Sequence, residues 1–263
     1  MDSTSTGLPT QSALSPSYRP QVAMDFRPAG GDHGGRGAGH RIDGAGGLSQ
    51  ALPDIWPLPS IDSIDLPSAA KRALDVTCGA AALLVALPLL ALVSVAIKLD
   101  SSGPVLFKQV RVGRGGRPFL MLKLRTMCAD AEGRRLALQN QNERSGPVFK
   151  MRADPRITRL GRLLRKYSVD ELPQLINVVR GDMSLVGPRP ALPSEVSQYE
   201  AWQCRRLHVK PGLTGLWQVN GRNAVDFEEW IRLDLEYVRR SSLGLDLLIL
   251  AKTVPAVLKG TGV

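Results

Sequence analysis

The run Ser168-Val169-Asp170-Glu171-Leu172-Pro173 places two adjacent carboxylates straight after a stretch loaded with arginine. Proline is tolerated only in the first turn of a helix, so Pro173 sets a helix start close to Asp170. A helix N-terminus and nearby guanidinium groups hold a carboxylate ionised. An ionised carboxylate is a nucleophile or a Mg²⁺ ligand. The same residues also fit a capping device, with Asp170 as N-cap or Ser168 and Glu171 as a capping box. From spacing alone the capping reading is the stronger.

Other residues suit anion chemistry. Gly187-Pro188-Arg189-Pro190 is a rigid loop carrying one arginine, the residue that grips phosphate bidentately. Lys123 and Arg125 alternate on a candidate strand and so point to one side, towards a phosphate or towards solvent. Pro211–Gly215 and Asn220–Asn223 are Gly-containing loops that serve as turns or as anion cradles. Asp234 falls on the apolar stripe of a predicted helix, with Phe227, Trp230, Ile231, Tyr237 and Val238. A carboxylate on a buried face needs a cation, a ligand or a metal. An internal ion pair with one of the many arginines satisfies it as well as a ligand does.

These residues need positioning elements. Val105–Val112 and Pro118–Leu124 read as a hairpin around Gly113–Gly116, and no Gly-Lys-Ser/Thr follows to make a P-loop. Asp154-Pro155 predicts an N-cap for an amphipathic helix Arg156–Tyr167, whose basic set includes Arg159, Arg162, Arg165 and Lys166. A second helix is expected from about Asp170 to Val179, a third from the cap Asp226 to about Arg240, and a last over Leu245–Leu258.

Ahead of them, Val76–Ile97 is 22 residues without a charge, long enough for the hydrocarbon core of a bilayer. Pro88 lies near its middle and predicts a kink. Lysine or arginine flanks both ends, so charge bias selects no crossing, and the break at Pro88 favours a re-entrant helix–break–helix over a spanning one. The bland alternative is a core helix of a soluble protein. The basic amphipathic helix beside such an anchor, and the last helix, read as interfacial.

Composition narrows the classes. Three widely spaced cysteines and three histidines, two of them in a Gly-rich stretch, exclude a disulfide scaffold and a multi-histidine metal site. Residues 1–66 carry a net −3 and residues 67–263 a net +13, so the basic body seeks an anionic partner. Only 5% of residues are aromatic, which weakens a base-stacking, nucleic-acid reading. Residues 1–66, rich in Gly, Pro, Ser and Asp, are expected to be disordered, with Leu52–Trp56 as one patch able to dock.

The order of motifs matters more than any one of them. Lys71-Arg72-x-x-Asp75 comes first, then the apolar segment with its proline, Gln109-x-Arg111-x-Gly113 and Lys123-x-Arg125-Thr126-Met127. Ser168-x-Asp170-Glu171-Leu172-Pro173-Gln174, Gly181-Asp182-Met183-Ser184, Gly187-Pro188-Arg189-Pro190, Pro211-Gly212-x-Thr214-Gly215 and Gln218-Val219-Asn220-Gly221-Arg222-Asn223 follow. This set resembles the bacterial sugar transferases, the monotopic polyprenyl-phosphate phosphoglycosyl transferases, over about residues 71–263.

The resemblance implies an α+β, mostly helical fold. Residues 67–100 would form a re-entrant membrane helix, and residues 101–263 a cytosol-facing catalytic domain with interfacial helices and a short β element near 105–124. It implies transfer of a sugar-1-phosphate from a UDP-sugar, glucose or galactose foremost, to undecaprenyl phosphate. UMP is released, at the cytoplasmic face of the cell membrane, as the first step of a polysaccharide repeat. Asp170 would be the nucleophile, Glu171 the Mg²⁺ residue, and Arg165, Arg189, Lys123 and Arg125 the phosphate-binding cations, with Asp234 orienting the site or the donor. The lipid bilayer is a partner, nucleic acid is not, and a homo-oligomer is left open. The family's break commonly reads Ser-Pro, whereas here it is Leu87-Pro88, which removes one hydroxyl partner for the freed backbone carbonyl. A catalytically silent membrane scaffold is the competing class, and the intact Asp170-Glu171 pair speaks against it.

Overall fold

The computed structural model describes residues 69–143, 145–151, 153–221 and 225–260. Residues 1–66, expected to be disordered, and Arg222 and Asn223 of the last motif lie outside the described residues. The helices are α1 (Ala69–Asp100), α2 (Ala131–Arg135), α3 (Arg159–Lys166), α4 (Gln174–Arg180), α5 (Pro193–Val196), α6 (Leu216–Val219), α7 (Phe227–Arg240) and α8 (Leu243–Leu258). The strands are β1 (Leu106–Val112), β2 (Pro118–Leu124), β3 (Ser184–Val186) and β4 (Gly212–Thr214). The expected mostly helical α+β architecture is present. β1 and β2 form the antiparallel hairpin, and β3 pairs with β4 in parallel, a second small sheet that the sequence did not reveal.

The apolar segment is one helix of 32 residues, about 48 Å at 1.5 Å per residue. Among the described residues it is the one helix long and apolar enough to cross a membrane. Helical assignment continues without a gap through Pro88, so the expected break is not an interruption of secondary structure. A proline removes one i→i−4 bond, and the bonds on either side carry the helix past it.

Asp75, Gly79, Ala86, Val93 and Ile97 are buried at helical spacing, while Val85, Leu92 and Leu99 on other faces are 82%, 70% and 83% exposed. A wide apolar surface facing outwards is the opposite of a soluble core helix. The apolar exposure continues on α8 at Leu247, Leu248, Val254 and Leu258. Leu163 on α3 is exposed too, beside exposed Arg159, Arg162 and Lys166.

The buried stripe straps α1 to the body at both ends. Near its start, Lys71 Nζ lies 2.6 Å from Asp246 Oδ2 on α8. Arg72 donates to the carbonyls of Val178 (2.8 Å) and Val179 (2.7 Å) in the last turn of α4. Asp75 accepts from Ser184 Oγ and Leu185 N, both at 2.9 Å, which ties the helix to β3. Near its end, Val93 and Ile97 pack with Leu124 and Leu164, and Arg125 donates to the carbonyl of Ser101 (2.6 Å).

Two helix starts differ from expectation. Helix α3 begins three residues later than Asp154-Pro155 predicts, because Thr158 caps it and accepts from Gly161 N at 2.9 Å. Asp154 turns instead onto Arg156, accepting from its backbone N (3.0 Å) and guanidinium (2.6 Å) in a buried local pair. The second helix opens as a 3₁₀ turn, Val169–Glu171, before α4, and Gly181 at φ +97° ends α4 as a left-handed cap. Asp226 caps α7 as expected, accepting from Glu229 N at 2.8 Å.

Candidate active site

Asp170 sits in the 3₁₀ turn between α3 and α4 and is 6% exposed. Ser168 makes this geometry. It is the one non-glycine residue at positive φ (56°) among the described residues, a conformation that costs an L-residue about 1 kcal/mol. The chain reverses there, bringing the end of α3 and the carboxylate pair together. Ser168 makes no side-chain cap, and Glu171 reaches Lys123 Nζ at 2.7 Å, so the capping-box reading is overturned.

Three cations attend the pair. Lys123 comes from β2 and Arg165 from the last turn of α3, and the charge of each acts on Asp170. Arg111, on β1, lies in the field of Glu171. Arg165 is oriented by Thr126, whose Oγ1 accepts from its Nε at 2.9 Å. Thr126 also accepts Thr158 N through its carbonyl (3.1 Å), and that carbonyl lies where a Cβ on Gly161 would go. Close packing of α3 on the strand exit thus requires glycine at 161. Asn177, fully buried on α4, donates to Leu120 O (2.8 Å) and accepts from Leu122 N (3.1 Å), which sets the α4 start against β2 and Lys123. Thr126 and Asn177 are site-building residues for which the sequence held no periodic signal.

Burial pushes the Asp170 carboxyl above its ordinary range, against the attraction of Lys123 and Arg165 and with help from Glu171. Removal from water is the larger effect on this carboxyl, ahead of the cations beside it. Burial also depresses Arg165, and burial together with Arg189 takes Arg111 down to about 9, still a cation at neutral pH.

The remaining predicted residues separate. Arg125 lies one residue beyond the end of β2, and one terminal nitrogen of its buried guanidinium donates to Ile97 O and to Ser101 at the end of α1, while its Nε and other terminal nitrogen have no hydrogen-bond partner among the described residues. Through that nitrogen it anchors the end of α1. Asp234 is 1% exposed and paired with the equally buried Arg206 at 2.6 Å. The internal ion pair accounts for a carboxylate on this buried face. Complete burial pushes its carboxyl up to about 6, with Arg206 opposing. Arg206 passes the contact on, donating to the Arg189 carbonyl at 2.8 Å. Arg189 stacks over Trp230 (5.4 Å to the ring centre) with Glu195 at 3.9 Å, and its charge reaches Arg111. A cleft of about 690 Å³ lined by Glu200, Trp202, Asp226, Phe227, Glu228 and Arg232 holds none of these residues.

An apolar helix laid on a body whose carboxylate pair is ringed by cations defines a membrane-associated enzyme for phosphorylated substrates. The family model of the bacterial sugar transferases matches residues 66–260. A UDP-glucose:undecaprenyl-phosphate glucose-1-phosphate transferase of Caulobacter vibrioides is 48% identical over 212 residues, 77% of this chain and 73% of that protein. The galactosyl transferase CpsE of Streptococcus agalactiae is 46% identical over 194 residues, 73% of this chain but 43% of that protein. The exopolysaccharide production protein ExoY of Rhizobium meliloti is 41% identical over 197 residues, 73% of this chain and 87% of its own length. The chain belongs to the bacterial sugar transferase family and is an enzyme of the phosphoglycosyl transferase class.

Proposed function

We propose that the chain transfers a sugar-1-phosphate from a UDP-sugar to undecaprenyl phosphate, releasing UMP, through a covalent phosphosugar on Asp170. The observation that carries this reading is one buried carboxylate flanked by Lys123 and Arg165, with Glu171 beside it and tied to Lys123. Phosphoryl transfer asks for this combination: a positioned nucleophile and fixed positive charge where the phosphoryl oxygens gather charge. Asp170 attacks the sugar-side phosphorus and the bond to the bridging oxygen breaks, its electron pair leaving with UMP. A phosphate oxygen of the lipid then attacks the same phosphorus and frees Asp170. The relatives' names support glucose or galactose as the sugar, undecaprenyl phosphate as the acceptor and exopolysaccharide assembly as the setting.

Mg²⁺ belongs to the same reading. No group of three or more His, Cys, Asp or Glu side chains that could hold a metal occurs among the described residues, so a cage made by the protein alone has no support there. Two adjacent carboxylates do fit Mg²⁺, which takes one or two and completes its shell with phosphate oxygens and water. Glu171, 31% exposed, would hold it beside Asp170. When bound, the ion neutralises charge on the phosphoryl oxygens.

The test is UMP release from a panel of UDP-sugars by nanodisc-held protein with Mg²⁺ and undecaprenyl phosphate. One hexose donor is expected to turn over and the rest to be at least tenfold slower. Silence with every donor, together with no donor binding by calorimetry, would sink the transferase reading in favour of the scaffold.

A re-entrant course for α1, with both ends on the cytoplasmic face, completes the proposal. Lys71, Arg72 and Asp75 at one end and Ile97 at the other contact the same body, which a helix crossing a bilayer of about 30 Å would have to leave on one side. In a cysteine-free background, Ala69→Cys and Ser102→Cys are expected to react with a membrane-impermeant thiol reagent from the same side of sealed vesicles. Labelling from opposite sides would establish a crossing.

A further inference from the structure

Helix α3 turns one face outwards. Arg159, Arg162, Leu163, Lys166 and Tyr167 are exposed at helical spacing, while Gly161 and Leu164 are buried. Exposed arginines on other helices are paired one turn away: Arg134 with Asp130, Arg232 with Glu228 and Arg240 with Glu236, at 2.7, 2.7 and 2.8 Å. Helix α3 has no acidic residue, and among the described residues Arg159, Arg162 and Lys166 form no ion pair. Like charges three and four residues apart disfavour a helix, and one of eight residues has little stability of its own. Such a face is favourable against a negatively charged surface.

The face lies beside the apolar surface of α1. Leu160 and Leu164 pack with Val93 and Ile97, and on the outer side of that stretch Leu92, Val95 and Leu99 are 70%, 60% and 83% exposed. The end of α8 closes on the same place. A Cβ on Gly260 would stand 2.9 Å from Lys166 Cε and 3.3 Å from Tyr167 Cε1, which brings exposed Leu258 and Lys259 to the end of α3. A cytosolic polyanion would need only the charges. Exposed Leu163, Tyr167 and Leu258 among them favour lipid: apolar side chains enter between acyl chains while lysine and arginine meet headgroup phosphates.

The same helix builds the site. Backbone bonds from Tyr167 N to Leu163 O (3.4 Å), Ser168 N to Arg165 O (3.0 Å) and Glu171 N to Ser168 O (3.1 Å) lead from this face into the turn that holds Asp170. Arg165, in sequence between Arg162 and Lys166, reaches inwards to Thr126, and its charge acts on Asp170.

We infer that the outward face of α3 binds the headgroups of anionic phospholipids, and that this contact holds Arg165 and the Asp170 turn in place for the first phosphoryl transfer. The inference rests on the phosphoglycosyl transfer reading and adds a regulator to it: membrane charge sets how fast Asp170 is loaded from the donor. In that step an Asp170 oxygen bonds the sugar-side phosphorus as the bond to the bridging oxygen breaks and UMP leaves. The phospholipid takes no part in the chemistry, and Arg159, Arg162 and Lys166 are positioning residues.

The experiment measures phosphosugar formation on the full chain given donor without acceptor, which keeps the acceptor's own phosphate out of the comparison. Nanodiscs of phosphatidylcholine alone are set against discs in which about a third of the lipid is phosphatidylglycerol. The charged discs are expected to raise the rate at saturating donor about fivefold or more, with donor KM within twofold. Salt near ~1 M, where the Debye length is about 3 Å, is expected to cancel the gain. Arg159→Gln/Arg162→Gln/Lys166→Gln is expected to match wild type within twofold in neutral discs and to gain less than twofold in charged ones. Arg117→Gln/Arg205→Gln/Arg239→Gln removes the same charge from exposed positions on other elements and is expected to keep the full gain. Amide exchange over residues 162–168 is expected to slow at least threefold in charged discs in wild type and not in the α3 variant. An active wild type indifferent to phosphatidylglycerol overturns this inference alone. So does a gain that survives in the α3 variant, which puts the headgroup contact elsewhere. Equal loss by that variant in both discs also overturns it, and assigns the face to the donor. A chain that forms no adduct with any donor and turns none over overturns the transferase reading, and the exchange rates then judge the headgroup contact on their own.

Discussion

Asp170→Asn is expected to lower turnover by about a thousandfold or more, a loss of at least ~4 kcal/mol of transition-state stabilisation. The substitution is nearly isosteric. The backbone bonds that build the turn, such as Glu171 N to Ser168 O at 3.1 Å, do not involve the side chain and should survive. What disappears is the carboxylate that attacks phosphorus to form the acyl phosphate. Glu171 cannot stand in, because it is tied to Lys123 at 2.7 Å. Intact mass separates mechanism from damage. Wild-type protein given donor without acceptor should gain the mass of a phosphosugar, and the variant should gain nothing while melting normally. Turnover that survives in Asp170→Asn would remove Asp170 as nucleophile and leave the cations as a binding site only.

The largest effect on stability is expected at a residue that substrate never meets. Asp234→Ala leaves Arg206 as a buried, uncompensated cation, a loss of about 3–5 kcal/mol. For a body of this size that lowers the melting temperature by roughly 6–20 °C. The effect should spread to the site, because Arg206 holds the Arg189 carbonyl and Tyr199 Oη (2.7 Å) and stacks on Trp230. The double variant Asp234→Leu/Arg206→Met is expected to melt above either single variant, since it removes both charges together. Its donor KM should still be raised, because the grip on the Arg189 carbonyl is gone. Single variants that melt within 2 °C of wild type, on the scale just given, would show that the pair is not the anchor its burial indicates.

The two predictions differ in how far the sequence reaches. Asp170 was visible as half of a carboxylate pair, but the pair was equally a cap until the left-handed Ser168 and the Lys123–Glu171 contact were in view. Asp234 was visible as a charge on an apolar stripe, and its partner was one arginine among many. Periodicity assigns a residue to a face of its own element; it does not say which residue of another element stands opposite. Arg206 and Asp234 are 28 positions apart, and Arg165 and Thr126 are 39 apart. The contact of Arg125 with Ser101 at the end of α1, 24 positions away, was out of reach for the same reason.

By itself the sequence determined what depends on near neighbours and on order along the chain. The charge-free run at α1, the hairpin, the Asp226 cap, the basic face of α3 and the ordered motifs that mark the family are of this kind, because helix and strand periods and capping are set within a few residues. Only the tertiary structure decided that α1 is strapped to the body at both ends, with Arg125 at one of them, and that Asp234 finds Arg206. It alone set Arg111 against the Pro190 carbonyl and Lys123 against Glu171. These are contacts between segments far apart in the chain. Buried charge must find its partner across that distance, and the partner is chosen by packing.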